Sequence, residues 1–153
     1  MGLTRQQVIH SIPLYVTYVL GTLVCLAAVW WAALLYVAVC VFGNLWFMAT
    51  ICPHCGAYKR GCPSGYNLGA QRLAPKGDLR EFRSAFGRNV WAVSLSWFVP
   101  LIYGVLRLFF DFDWFVLGLL VVFCALAFGV LPFGMRKQGC SHCPNRKNCP
   151  YTA

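Results

Sequence analysis

The sequence predicts an all-α integral membrane protein: four transmembrane helices in two repeated hairpins, each followed by a cytoplasmic cysteine-rich module. Three observations carry that prediction. Hydrophobic residues make up 59% of the 153 and charged residues 11%, against about 45–50% and about 25% in a typical soluble domain. Residues 11–51 hold no charge, and neither do residues 89–100. A C-x-H-C motif follows the first apolar stretch at Cys52 and returns after the second at Cys140.

The run over 11–51 is too long for one crossing of about 20 residues and fits two. They are placed at 12–29 and 32–51, turning at Trp30 and Trp31, whose indole rings suit the lipid–water boundary. A signal peptide has an apolar core of about 7–15 residues, so this run is expected to remain in the membrane uncleaved. One bent helix over the whole run would offer no polar face to water. The third crossing spans 90–109 and holds Pro100, which a membrane helix tolerates with a kink. The turn FDFDW at 110–114 carries Asp111 and Asp113, and the fourth crossing spans 114–133. The chain thus divides into a tail and first hairpin (1–51), a cysteine module with an interfacial loop or helix (52–89), a second hairpin (90–134) and a C-terminal module (135–153).

Orientation follows from the cations. Twelve of the thirteen Lys and Arg lie in the tail, the central segment or the C-terminal segment. Cations beside short loops stay on the cytoplasmic side, so both termini and both modules are expected there, in the cell or inner membrane. The exception is Arg107, one helical turn before Asp111 and able to pair with it. In the central segment Asp78 and Glu81 read as a helix start. Leu79, Phe82 and Phe86 then share one face, with Arg80, Arg83 and Arg88 free to reach phosphates, as in a helix lying in the interface. The net charge of +9 therefore points to a bilayer with anionic headgroups and calls for no nucleic acid.

The modules read CPHCGAYKRGCP at 52–63 and CSHCPNRKNCP at 140–150. Both give C-x-H-C, a spacer, a basic pair (Lys59-Arg60, Arg146-Lys147), one residue and Cys-Pro. Parallel repeats related by an axis along the membrane normal would bring them together on one face. Three of the nine cysteines, Cys25, Cys40 and Cys124, fall inside crossings, where the thiol behaves as a small hydrophobe. The other six are Cys52, Cys55, Cys62, Cys140, Cys143 and Cys149. Close cytosolic cysteine pairs are metal ligands or redox groups more often than stable disulfides.

Two metal readings stay open. In the first, Cys52, Cys55, Cys140 and Cys143 form a tetrahedral zinc site, since C-P-x-C-G resembles a zinc-ribbon half-site. In the second, the Cys-Pro closing each module resembles ferredoxin sequences, and each module gives three thiolates to an iron–sulfur cluster. The third cysteine lies six or seven positions beyond the second, farther than in ferredoxins. His54 and His142 immediately precede the second cysteine of their pairs. Adjacent side chains diverge, so at most one of each His-Cys pair binds directly, and the imidazole otherwise orients a ligand or faces a partner. The basic pairs favour thiolates or hold anionic lipid.

No Walker loop, H-E-x-x-H or nucleophile elbow is present, and no charge sits at the centre of a crossing to mark an ion path. Asn44, Thr17, Ser94 and Ser96 are the polar intramembrane residues and are expected to bond neighbouring helices. The functional expectation is a metal–thiolate protein holding iron–sulfur or zinc and exchanging electrons with a soluble carrier, a larger complex or a lipid quinone. The alternative is a zinc-stabilised adaptor for a protein partner. In size, helix number and cysteine pairs the chain also resembles four-helix membrane oxidoreductases of the DsbB and vitamin K epoxide reductase kind. That resemblance implies thiol–disulfide chemistry with quinone. Their substrate-facing thiols lie on the oxidising side, and no catalytic residue carries over.

Overall fold

The computed structural model describes residues 5–59, 62 and 65–134, with side chains from residue 11 to residue 133. The C-terminal module, with Cys140, His142, Cys143 and Cys149, lies outside the described residues, as do Arg60 and Pro63. The described chain is helical throughout, without a strand. In order come α1 (Arg5–Ala28), α2 (Trp30–Thr50), a 3-10 turn (Cys52–His54) and α3 (Tyr66–Leu73). A second 3-10 turn (Leu79–Glu81) leads to α4 (Phe82–Asn89) and α5 (Trp91–Phe110). The last crossing is α6 (Trp114–Cys124), a π-helical segment (Ala125–Val130) and α7 (Leu131–Gly134).

Four segments are long and apolar enough to cross a membrane. The 20 residues of α5 rise about 30 Å, which matches the hydrocarbon thickness of a bilayer. Leu34, Val41, Phe98, Ile102 and Val121 stand exposed on the outside of the bundle, a surface suited to acyl chains. Trp30, Trp31 and Trp114 mark one end. At the other end Trp46 and Trp91 lie 6.4 Å apart, and the Trp46 indole donates to Asn89 Oδ1 at 3.2 Å.

The first reversal falls one residue before the expected tryptophans. Val29 alone is extended, at φ −157° and ψ 136°, and both tryptophans already belong to α2. No Gly or Asn is needed, because the extended region suits a β-branched residue. At the second reversal Asp113 caps α6 by accepting from the Phe115 N–H at 2.8 Å. Arg107 and Asp111 pair at 2.6 Å, as the one-turn spacing anticipates.

Small residues set the packing. The buried face of α5 is Ala92, Ser96, Pro100 and Gly104, one every fourth residue. Without a hydrophobic drive between helices in lipid, such stripes allow the close backbone approach that stabilises a bundle. A Cβ on Gly43 would lie 2.6 Å from the Ala92 carbonyl oxygen, and one on Gly104 would lie 2.9 Å from Val24 and Leu120. Helices α1 and α5 pack on each other and on both remaining crossings, whereas α2 and α6 form no packed pair. Between α1 and α2, Cys25, Cys40, Ala32, Ala33 and Tyr36 make one buried cluster. There the two thiols act as small hydrophobes. Gly21 makes room for the Tyr36 phenol, since a Cβ there would sit 2.6 Å from Tyr36 Cζ.

A helix does form at Phe82–Asn89, but its apolar face is occupied. Phe82 and Ala85 are buried, and Phe86 lies 6.5 Å edge-on from Phe47 of α2. Val90 keeps a helical conformation and its N–H bonds Phe86 O at 3.0 Å, so α4 leads into α5 without an extended link.

Candidate functional site

The first cysteine module is built on the end of α2. A proline disfavours α-helical geometry for the residue before it, and α2 ends at Thr50, shortly before Pro53, where the chain tightens into the 3-10 turn. Ile51, only 1% exposed, closes the helix through its N–H to Phe47 O at 3.0 Å. The chain then winds tightly. The Cys55 N–H donates to Cys52 O and the Tyr58 N–H to Cys55 O, each at 3.0 Å. These turns set the C-x-x-C pair on successive bends of one loop. Cys52 is buried at 8% exposure, while Cys55 and Cys62 are half-buried.

Helix α3, which no strong sequence signal marks, walls this loop. Gly65, at φ 71°, starts it in the left-handed region that glycine enters without strain. The Gly65 N–H holds Cys62 O at 3.1 Å. From α3, Gln71 Nε2 donates to Tyr58 O and the Tyr58 hydroxyl donates to Ala74 O, both at 2.6 Å. Cys52, Tyr58 and Ala70 form a buried cluster flanked by Phe47, Met48 and Tyr66. The signal for α3 was faint: one Ser-Gly turn, then eight residues with little hydrophobic periodicity.

Tyr66 does more than pack. Its hydroxyl donates to Asn44 Oδ1 in a short hydrogen bond. The Asn44 amide donates to Tyr18 Oη at 2.9 Å and to Cys40 O at 2.7 Å. Asn44 thus ties α3, α1 and α2 at one point and bonds a neighbouring helix as anticipated. Thr17, Ser94 and Ser96 instead bond their own helices, to Pro13 O, Val90 O and Val93 O. Burial, with Tyr18 close by, pushes the Tyr66 phenol above its ordinary value, so it persists as a donor.

His54 points along the loop after α3. Its Nδ1 lies 3.0 Å from Asp78 O and 3.6 Å from Glu81 Oε2. Its ring rests on Gly77, where a Cβ would sit 2.6 Å from Nδ1, and the Gly77 N–H donates to Pro53 O at 3.0 Å. His54 therefore fastens the module to the segment preceding α4. Lys59, Arg72, Lys76, Arg80, Arg83 and Arg88 are all exposed around it.

The donor chemistry of the loop fits a thiophilic metal: three soft thiols in one fold of chain, with a C-x-x-C turn. Its closure does not, because among the described residues no three His, Cys, Asp or Glu side chains are gathered closely enough to hold an ion. The remaining sequence-assigned donors, Cys140, His142, Cys143 and Cys149, lie outside the described residues. No protein-family model, curated protein or solved structure matches this chain.

Proposed function

We propose that this chain is a four-helix membrane protein whose cysteine modules hold metal–thiolate centres, iron–sulfur or zinc, at the cytoplasmic face and take part in electron exchange. The observation that supports it is the first loop, where a buried Cys52 and half-buried Cys55 and Cys62 share one fold of chain against a dedicated helical wall. Cys52, Cys55 and Cys62 would hold the metal in the first module, and Cys140, Cys143 and Cys149 in the second. With His54 turned to Asp78 and Glu81, the first module offers thiols alone. A bound cluster would supply one-electron chemistry, and bound zinc would supply rigidity. His54 holds the loop to the α4 segment, and His142 is assigned the same part in the second copy.

The exposed cations serve the partners. Near a membrane surface each is worth about 1 kcal/mol with anionic headgroups, and the same cations would attract an acidic redox or assembly partner. The deciding experiment is anaerobic purification followed by iron, zinc and acid-labile sulfide analysis. The expected result is stoichiometric metal that is lost from a Cys52→Ser, Cys55→Ser double variant. Protein that is folded, colourless and free of both metals would end this reading. Labelling Cys55 with an impermeant thiol reagent in inverted vesicles but not in intact cells tests the orientation.

A further inference from the structure

We infer that the outer face of α4 and α5 is a binding site for one anionic phospholipid, with its phosphate on Arg83 and Arg88 and an acyl chain along Leu95, Phe98 and Ile102; it rests on the reading that the exposed cations meet anionic headgroups. The two helices share one rotational phase. Their buried positions run Phe82, Ala85, Ala92, Ser96, Pro100 and Gly104. The intervals are three or four residues, and the seven across the junction are two such steps, so the helical period passes through it unbroken. Val90, at the junction, is itself helical, and its carbonyl accepts the Ser94 N–H at 3.1 Å. One continuous buried stripe leaves one continuous stripe on the opposite side. That stripe is Ser84, Arg88, Trp91, Leu95, Phe98 and Ile102, all exposed.

The stripe is graded along its length as a phospholipid is. At its start Arg88 Nη2 donates to Ser84 Oγ at 3.0 Å, which draws the guanidinium back over the previous turn and leaves the hydroxyl proton to donate to an anion. Arg83 flanks the same turn and is exposed. Gly87 lies one turn after Arg83 and Ser84 and one turn before Trp91, and a Cβ there would meet nothing within 4 Å. It leaves an open seat among two guanidinium groups and a hydroxyl, the donor set that recognises phosphate. The nearest acid in sequence, Glu81, is turned to His54 at 3.6 Å, and among the described residues neither Arg83 nor Arg88 pairs with a carboxylate. Next comes the Trp91 indole, a group enriched at the lipid–water boundary. From Trp91 to Ile102 the helix rises about 16 Å, close to the half-thickness of about 15 Å that one leaflet's acyl chains fill. Lys59 and Arg72 are exposed at the same end, but the loop and α3 that carry them do not continue into a crossing.

The test uses the full chain in detergent micelles, titrated with phosphatidylglycerol or with phosphatidylcholine of the same acyl chains. Native mass spectrometry reads the affinity of the first bound lipid. Each cation beside an anionic headgroup is worth about fivefold in binding. The parent is therefore expected to take one phosphatidylglycerol at least about tenfold more tightly than phosphatidylcholine, and the Arg83→Gln, Arg88→Gln double variant to lose that preference. Gly87→Leu fills the seat without changing the charge and should weaken the first lipid by about fivefold or more. Lys59→Gln, Arg72→Gln removes the same charge away from the stripe and should weaken it by less than about threefold. Soluble glycerol phosphate in large excess should not displace the lipid, because it leaves the apolar half of the stripe unfilled. An equal loss in the two double variants, with Gly87→Leu like the parent, would overturn the site and leave the general headgroup reading standing. No preference of the parent for phosphatidylglycerol would overturn both, and displacement by glycerol phosphate would overturn the assignment to a lipid.

Discussion

Gly43→Ala is the sharpest test of how the bundle is held. A methyl there would stand 2.6 Å from the Ala92 carbonyl oxygen, 3.2 Å from its carbon and 3.4 Å from Val93 Cα. All three are backbone atoms, so no side chain can swing away. Bringing the oxygen from 2.6 Å to the 3.4 Å of ordinary contact requires about 0.8 Å of separation between α2 and α5. A gap of about 0.5–1 Å already forfeits a quarter to a half of each dispersion contact along the seam. The strain also reaches the Trp46–Asn89 bond one turn away. Overpacking of this kind costs about 1–3 kcal/mol. Gly118→Ala is the matched control, with nothing within 4 Å of the new methyl. Reversible unfolding of both variants in mixed micelles should separate them by at least about 1 kcal/mol, about fivefold in the unfolding equilibrium. If Gly43→Ala and Gly118→Ala unfold together, the small-residue seam does not hold the fold and the packing account fails.

Four further outcomes follow from the same geometry. Cys124→Ser should leave metal content unchanged while Cys62→Ser lowers it, because Cys124 sits in the last crossing and Cys62 in the loop; metal analysis of the two variants checks this. Changing Cys140, Cys143 and Cys149 together should halve the bound metal, because the crossings that lead into the two modules form no packed pair; complete loss would show one shared centre instead. Arg107→Ala should cost less than about 1 kcal/mol in the same unfolding assay, since Arg107 and Asp111 are 31% and 68% exposed and exposed pairs contribute little. The Tyr66 phenol is raised by burial above its ordinary 10.0, so folding stability should fall as pH rises through and beyond that value. Thermal midpoints between about pH 9 and 11 should drop less in Tyr66→Phe than in the parent.

The crossings were legible because their signal is long and redundant: uncharged runs, a hydrophilic Asp-rich turn and tryptophans at the ends. The second reversal was also legible, since Asp113 caps α6 and Arg107 reaches Asp111 through local chemistry alone. The first reversal was misplaced by one residue because Val29 carries no turn signature and makes the break by extended backbone alone. The π-helical segment after Cys124 has no local mark either; it packs beside α1, with Phe128 edge-on to Trp97 at 5.9 Å. In the candidate site the thiols announced themselves by spacing. Tyr66, Gly65 and Gly77 did not, because their parts depend on contacts with α2, Cys62 and His54 that only the fold supplies. His54 stood out as a donor in sequence, yet its partners Asp78 and Glu81 lie more than twenty positions away.

The pattern of neighbours sets how the first module is tied to the bundle. Exchange the hairpins, α1 for α5 and α2 for α6, and the set of packed pairs maps onto itself. Two hairpins meeting along the α1–α5 seam would behave so, with α2 and α6 at the far corners. The first module therefore hangs from a corner helix that packs on both seam helices, α1 and α5, but not on the last crossing. A second tie to the centre is the Asn44 node, where α3 reaches Tyr18 of α1 through a single amide. From Tyr18 the contact continues into the buried cluster of Cys25, Tyr36 and Cys40. A change in the cysteine loop that moved α3 would thus act on the central seam by way of the Asn44 hydrogen bonds as well as through the packing of α2 on α1 and α5.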